Sequence, residues 1–472
     1  MRRVAPDGVP GGSSGTAGAP DDGRDPYLPD RVPGGLHVDR YDLDLEYRVA
    51  SNRLEGTARV HARAATDLER LSLDLVGLTV SRVLVDGRRP ARFARRDGRL
   101  EVRLARRVAA GAPVLVEVRY GGYPGPRRGP WGEVGWEELT DGVIVAGQPD
   151  GAPSWFPCDD RPAAKASFGI AITTDVGYEV VCNGVLHSRR VRASRVRWQF
   201  EQPEPTAPYL ATVQIGRYEH VALASGPVPQ TVVAPPRSRV AVAHDLERQP
   251  AMMALFSDRF GPYPFPRYDV VVTDDPLEIP LEAHGLSVFG ANHLDGHRGS
   301  ERLVAHELAH QWFGNSLTAS TWRDIWLHEG FACYAEWLWE EESGGRTADA
   351  QARTSRTRLA RLPQDLVIGD PGPADMFDDR VYQRGALTLH ALRLTLGDAA
   401  FFDVLRAWTA RYRHGSVTTT AFVACVAGSS GVDVAALLDT WLGRSELPDL
   451  PDPSARAPRE TGVRAAVRGL RR

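Results

Sequence analysis

A chain of 472 residues with 42% apolar and 25% charged content is that of an ordinary globular protein, too long for one core and suited to two or three domains. The formal net charge of −3 excludes a global basic field that would recruit nucleic acid or an anionic membrane, and no apolar run approaches the ~20 residues needed to span a bilayer. Nearly all the positive charge is arginine, Lys165 being the only lysine, and this usage reads as codon bias.

Residues 1–35 are rich in Gly, Pro, Ser and Asp, and are expected to be disordered. Their Arg2–Arg3 pair is followed by no apolar h-region, so an export signal is not expected and the cytoplasm is the predicted location. From Tyr41 onward the pattern alternates with period two, in "YDLDLEYRV", "LEGTARVHARA", "RLEVRLARRV", "PVLVEVRY" and "FGIAITTDV". Gly, Pro and Asn-Gly turns separate these runs, as in "VCNGVL". They predict an antiparallel β domain over residues 36–218.

After about residue 245 the period shifts towards 3.6. "AHDLERQPAMMALFSDRFG" reads as a helix interrupted at Pro250, and "YDVVVTDD" as a short strand. "SERLVAHELAHQWFG" reads as a helix with Ser300 as N-cap and Gly314 as its stop. "IWLHEGFACYAEWLWEEESGG" and "VYQRGALTLHALRLTLG" are further helices ending at glycines. Residues 219–450 are therefore predicted to form a mainly helical second domain, and the basic stretch 451–472 a disordered tail. The fold class is α+β. Cys158, Cys182, Cys333 and Cys425 form no CxxC pair and read as buried hydrophobes in a reducing compartment.

The chemistry is concentrated in "HELAH". Residues four apart on an α-helix lie about 40° apart around its axis and one turn along it, so His306 and His310 can aim at one point. Glu307 lies beside that face and can reach the cavity without occupying a metal held there. A catalytic zinc wants three protein ligands and a fourth position left for water, so a third ligand is expected downstream. Glu329, in "TWRDIWLHEGFACYAEW", is placed to supply it.

"HELAHQWFGN" followed by "WLHEGFACYAE" resembles the gluzincin aminopeptidases of the aminopeptidase N type, whose signature is HExxH, eighteen residues, then Glu. The resemblance runs from about residue 36 to 450. It implies a β saddle followed by a thermolysin-like catalytic domain, without the helical domain that larger members add. It implies one zinc ion on His306, His310 and Glu329, with Glu307 as general base and free-N-terminus peptides as substrates. Glu282, in "IPLEAHGLSVFG", matches the glutamate that binds the substrate ammonium, although Ile279, Pro280 and Ala283 depart from the usual Gly-x-Met-Glu-Asn. Gln148, before "PSWFPCDD", matches a second contact to the amine. Tyr382, in "VYQRG", matches the tyrosine that donates to the oxyanion, with Arg384 in place of lysine. His328 occupies a place where many members carry Asn and reads as a satisfied polar neighbour. Two other readings stay open: a leukotriene-hydrolase-like epoxide hydrolase, and a non-catalytic peptide-binding relative. Neither nucleic acid nor membrane is an expected partner, and the oligomeric state is left at a default of monomer.

Overall fold

The computed structural model describes residues 24–31 and 33–452. The expectations for residues 1–23 and 453–472 lie outside the described residues.

The period-two segments form a seven-stranded sheet in the order Val185–Arg192, Arg195–Thr206, Ala166–Asp175, Leu36–Arg48, Arg53–Ala64, Pro113–Gly122, Thr79–Val85. Leu36–Arg48 turns into Arg53–Ala64 through a short 3-10 turn closed by Asn52 in the left-handed region (φ 44°). Tyr41, Leu43, Leu45 and Tyr47 are thereby kept on the buried face, with Arg40, Asp42 and Asp44 on the other. A five-stranded sheet packs on this one, and Trp136, Trp155, Phe156 and Phe168 fill the space between. A third sheet, of Leu68–Asp74, Arg99–Val108 and Arg92–Arg96, completes the β half.

Two details differ from the sequence reading. Leu36–Arg48 pairs in parallel with Ala166–Asp175 (Leu43 opposite Ile170), because the long excursion between them serves as the crossover that a parallel pair needs. Asn183–Gly184 makes no hairpin: the chain changes sheets there, and the Asn183 side chain donates to the Leu210 and His284 carbonyls.

Residues 24–31, expected to be disordered, are instead packed into the molecule. Asp25, Tyr27, Leu28 and Arg31 are all buried. The Asp25 carboxylate accepts from the Trp322 amide at 2.8 Å, and the Tyr27 hydroxyl donates to Asp370 while accepting from the Gly372 amide. Composition averaged over 35 residues hid these anchors, which all fall within "DPYLPDR".

In the second half, a mixed sheet has the order Glu219–Ala224, Gln230–Ala234, Tyr268–Val272, Leu286–Phe289, Leu281–Ala283, the last strand being its edge. Nine helices stand beside it among the described residues: α1 (Arg239–Asp245), α2 (Gln249–Phe260), α3 (Glu301–Ala309), α4 (Trp326–Glu342), α5 (Ala348–Leu359), α6 (Asp379–Leu396), α7 (Asp398–Arg411), α8 (Thr419–Ser430) and α9 (Ala435–Leu442). Pro250 falls in the first turn of α2, where its missing N–H costs nothing, so the break precedes it. α3 stops at Ala309 with His310 as its cap, short of Gly314, and the Ser300 side chain makes no capping bond. Gly314 (φ 119°) lies in the following turn, whose amides at 315–317 bond back to the carbonyls of 310–312. α4 is buried along nearly its whole length and carries Glu329 between α3 and α6. Gly330 and Gly385 allow the α4–α6 approach: a Cβ on Gly330 would stand 2.8 Å from the Gly385 Cα. This crossing sets Glu329 near Tyr382, three positions before Gly385.

Candidate metal centre

His306 sits in the last turn of α3 and His310 at its cap, with ring centroids 4.7 Å apart. Glu329, in the first turn of α4, presents its Oε2 at 3.4 Å from His306 Nε2 and 3.5 Å from His310 Nε2. All three are buried, and their ligating atoms lie within 4.8 Å of one another.

The outer ring nitrogens fix what the inner ones can do. His306 Nδ1 meets Glu336 Oε1 at 2.7 Å, and His310 Nδ1 meets the Phe313 carbonyl at 3.0 Å. Both partners are acceptors, so each ring carries its proton at Nδ1 and turns an Nε2 lone pair towards the Glu329 carboxylate. Groups facing each other in this way demand positive charge between them, from a second proton on Nε2 or from a metal ion in its place. The surrounding field agrees. Burial opposes charge on His310, yet Glu329 and Glu282 raise it to about 9; burial opposes charge on His306 too, yet Glu329 and Glu336 raise it well above the ordinary range. Glu329 is held down despite its burial by His310 and His306. Two imidazole nitrogens and one carboxylate oxygen suit a tetrahedral zinc ion with one position left for water.

Glu336 was not found from the sequence. It stands two turns beyond Glu329 on the same face of α4, so helical spacing from the ligand was the available signal. Arg302, one turn before His306, donates to both Glu336 oxygens at 3.0 Å and holds the carboxylate against the ring.

Glu307 lies beside the triad with one oxygen, Oε2, buried and without a hydrogen-bond partner. Burial pushes its carboxyl up to about 7, against the pull of His306 and His310. Glu282, on the edge strand Leu281–Ala283, comes within 4.8 Å of Glu307 and His310, and its Oε1 is likewise buried and unpartnered. The Tyr382 ring stacks on His306 with centroids 6.1 Å apart and planes at 18°. Burial raises its hydroxyl well above the ordinary value, with Glu329, Glu282 and Glu307 adding to the shift.

Residues 37–210 match the Peptidase M1 N-terminal domain, and residues 244–441 match the Peptidase family M1 domain. An M1 zinc metallopeptidase from Deinococcus radiodurans superposes with a TM-score of 0.83 at 30% identity, over 92% of this chain and 99% of that one. The chain belongs to peptidase family M1.

A mutant of the same Deinococcus M1 enzyme, bound to a Tyr-Ser-Ala substrate, matches with a TM-score of 0.82. The leucyl aminopeptidase of Saccharolobus solfataricus is 23% identical over 88% of this chain and 54% of its own length. The human endoplasmic reticulum aminopeptidase 1 is 26% identical over 80% of this chain and 44% of its own length. The chain thus spans about half the length of the curated M1 relatives it matches.

The remaining M1-type positions are distributed unevenly. Gln148 follows Gly147, which packs so closely on Tyr209 that a Cβ there would stand 2.3 Å from the Tyr209 carbonyl oxygen. Tyr209 lies near both Glu282 and Glu329, and its hydroxyl donates to the Gly314 carbonyl. Gln148 is thus on the segment beside the centre, and its Nε2 is buried without a partner. Arg384 is turned away. Its guanidinium donates to the carbonyls of Trp441, Arg444, Ser445 and Glu446, and so ties down the chain after α9. His328 is half-satisfied, with Nε2 accepting from the Ala319 amide at 2.7 Å and Nδ1 unpartnered. Lys165, which the sequence marked only by its rarity, reaches across from the β half towards the turn after α3.

Proposed function

We propose that the chain is a zinc-dependent aminopeptidase that removes N-terminal residues from peptides, with one zinc ion held by His306, His310 and Glu329. When bound, the zinc polarises the scissile carbonyl and lowers the pKa of water at its fourth position. The protein's side chains do the rest. Glu307 accepts the proton of the attacking water and returns it to the leaving amine. Tyr382 donates its hydroxyl hydrogen to the carbonyl oxygen as negative charge develops there. Glu282 pairs with the α-ammonium, and Gln148 accepts a further hydrogen bond from it.

The observation that carries this reading is Glu282 Oε1, a buried carboxylate oxygen without a partner beside the centre. A buried unpaired anion is costly, and a substrate ammonium at that point satisfies it. Pro280, just before the edge strand, has no N–H to offer a substrate backbone, which makes the ammonium contact the more important anchor.

Aminoacyl fluorogenic amides and N-acetylated counterparts, assayed with chelator and after zinc return, test the proposal. Hydrolysis should need zinc and a free amine. Cleavage indifferent to acetylation would remove the exopeptidase reading.

We take the β domain to occupy residues 36–218 and the catalytic domain 219–450, since the chain changes sheets between Gly216 and Glu219. The four cysteines are free and buried, and no helix among the described residues is long and apolar enough to cross a membrane; both features support placement in the cytoplasm. A monomer remains the default.

A further inference from the structure

The third sheet of the β half carries an unusual charge pattern. Its strands lie in the order Leu68–Asp74, Arg99–Val108, Arg92–Arg96. Leu71, Leu73, Leu100, Val102 and Leu104 face the core, so the alternate positions face outward. The register places Arg70 opposite Arg103 and Arg103 opposite Arg92, three guanidiniums in one row across three strands. In the next row but one, Arg99 stands between Asp74 and Arg96. Like charges directly opposite each other destabilise a sheet.

Arginine abundance alone does not account for this row: the large sheet also sets Arg190 opposite Arg197, Arg192 opposite Arg195 and Arg82 opposite Arg119, but there one arginine of each pair meets an acid. There Arg40 meets Asp42 and Glu201, Arg59 meets Glu117 at 3.2 Å, Arg195 meets Asp175 at 2.6 Å and Arg197 meets Asp44 at 2.7 Å. On the small sheet Arg99 stands 3.6 Å from Asp74 and also donates to Ser72 Oγ, and Arg107, at the far end of its strand, meets Asp67 at 2.7 Å. Arg70, Arg92, Arg96 and Arg103 have no acidic partner among the described residues. Glu69 and Glu101 are the exposed acids of these strands, and neither forms an ion pair with Arg70, Arg92, Arg96 or Arg103 among the described residues. The face is concave, walled by Pro33–Gly35, and encloses about 530 Å³, within the range of small-molecule sites.

We propose that this face binds a linear triphosphate, that of a nucleoside triphosphate or of inorganic tripolyphosphate, laid across the strands on Arg70, Arg103 and Arg92. Guanidinium forks bind phosphate oxygens bidentately, and adjacent strands set the forks about 4.8 Å apart. A triphosphate carries charge on every unit and can follow this closely spaced row. An extended acidic peptide presents same-side carboxylates only at every second residue, roughly 6.7 Å apart, so it brings less charge to the row than a short, flexible triphosphate on which all three arginine side chains can converge.

Calorimetric titration of the full, zinc-loaded chain with sodium tripolyphosphate, at fixed low ionic strength, tests the site. One-to-one binding is expected, weakened about tenfold or more by R103Q and by R92Q. R95Q removes the same charge from the other side of the same edge strand and should leave binding unchanged. Equal affinity for ATP would show that the phosphate chain alone is read; tighter ATP binding would assign the nucleoside a contact as well. Four results would overturn the proposal: no binding, undiminished binding by the R92Q/R103Q protein (which would put the ligand on the zinc), an R95Q loss equal to that of R103Q, or equal affinity for a glutamate oligomer.

Discussion

The Lys165 ammonium donates to the Asn315 carbonyl at 3.0 Å, and the same group reaches the carbonyls of Ser316 at 2.8 Å and Gly415 at 3.2 Å. Burial pulls Lys165 down to about 7, but a neutral amine has two N–H bonds and this group meets three acceptors, so the contacts hold the charged form. Asn315 in turn donates from Nδ2 to the Ala283 carbonyl, next to Glu282. The β half is thereby tied through one ammonium to the turn after α3 and to the edge strand that carries Glu282.

A chain that uses arginine for every other cation keeps lysine at the point where three carbonyls converge. A planar guanidinium cannot match that pyramidal arrangement. K165M should lower stability by about 3 kcal/mol in denaturant unfolding, because buried carbonyls lose their partner. K165R should not restore it. Both should raise KM for free-amine substrates more than they lower kcat, because Glu282 shifts while Glu307 stays. Unchanged KM in both variants would limit Lys165 to a structural role.

Glu336 sets the His306 tautomer, so E336Q should weaken zinc binding by roughly 10–100-fold. Competition with a chelating indicator reads this directly. Activity of E336Q should return at saturating zinc. Equal zinc affinity in E336Q and the unsubstituted protein would refute the assignment.

Glu307 must be ionised to accept a proton, and burial places its carboxyl near 7 before the charge of the zinc is added. That charge favours the carboxylate, so kcat/KM should rise with pH along a limb centred below 7. E307Q should cut kcat by about 10²–10⁴ with one zinc per chain still present by elemental analysis. An E307Q protein that turns over at the normal rate would remove Glu307 from the reaction.

Y382F should lower kcat by about 10²-fold and leave KM within a small factor, because a hydroxyl aimed at developing charge contributes only in the transition state. The stacked geometry on His306 needs only the ring, so zinc content should not change. A Y382F enzyme with normal kcat would make the hydroxyl a packing feature.

The parts legible in the sequence were those fixed by local periodicity. His306, Glu307 and His310 follow from one helical turn, and Glu329 was placed by wording that a family shares. The parallel pairing of Leu36–Arg48 with Ala166–Asp175 was not legible, because nothing local encodes which distant strand is a neighbour. The role of Arg384 also depends on a distant segment: it stands where the family carries lysine, yet its acceptors are carbonyls at the end of α9 and just beyond it. Tyr27 and Arg31 were hidden for a third reason. A short anchor in a Gly- and Pro-rich stretch has no period, and its burial comes wholly from tertiary contacts.

Arg31 makes the clearest case for that N-terminal anchor. It stands among three buried carboxylates, 3.4 Å from Asp74, 3.3 Å from Asp150 and 3.7 Å from Asp160. Arg127 shares Asp150, which lies two positions after Gln148, so the same cluster steadies the segment beside the centre. Burial already raises Asp74 and Asp160 above the ordinary carboxylate range, and Arg31 is the main opposing influence on both. R31M removes that influence and should destabilise the protein by about 3–5 kcal/mol. The loss should depend on pH in a defined direction. Without Arg31 the folded-state pKa values of Asp74 and Asp160 rise further above their unfolded values, so the folded state binds more protons and its stability falls as pH increases. The R31M deficit, measured against the unsubstituted chain by denaturant unfolding, should therefore be larger at pH 8 than at pH 5. A deficit that shrinks with rising pH would mean that the three carboxylates do not depend on Arg31 for their charge.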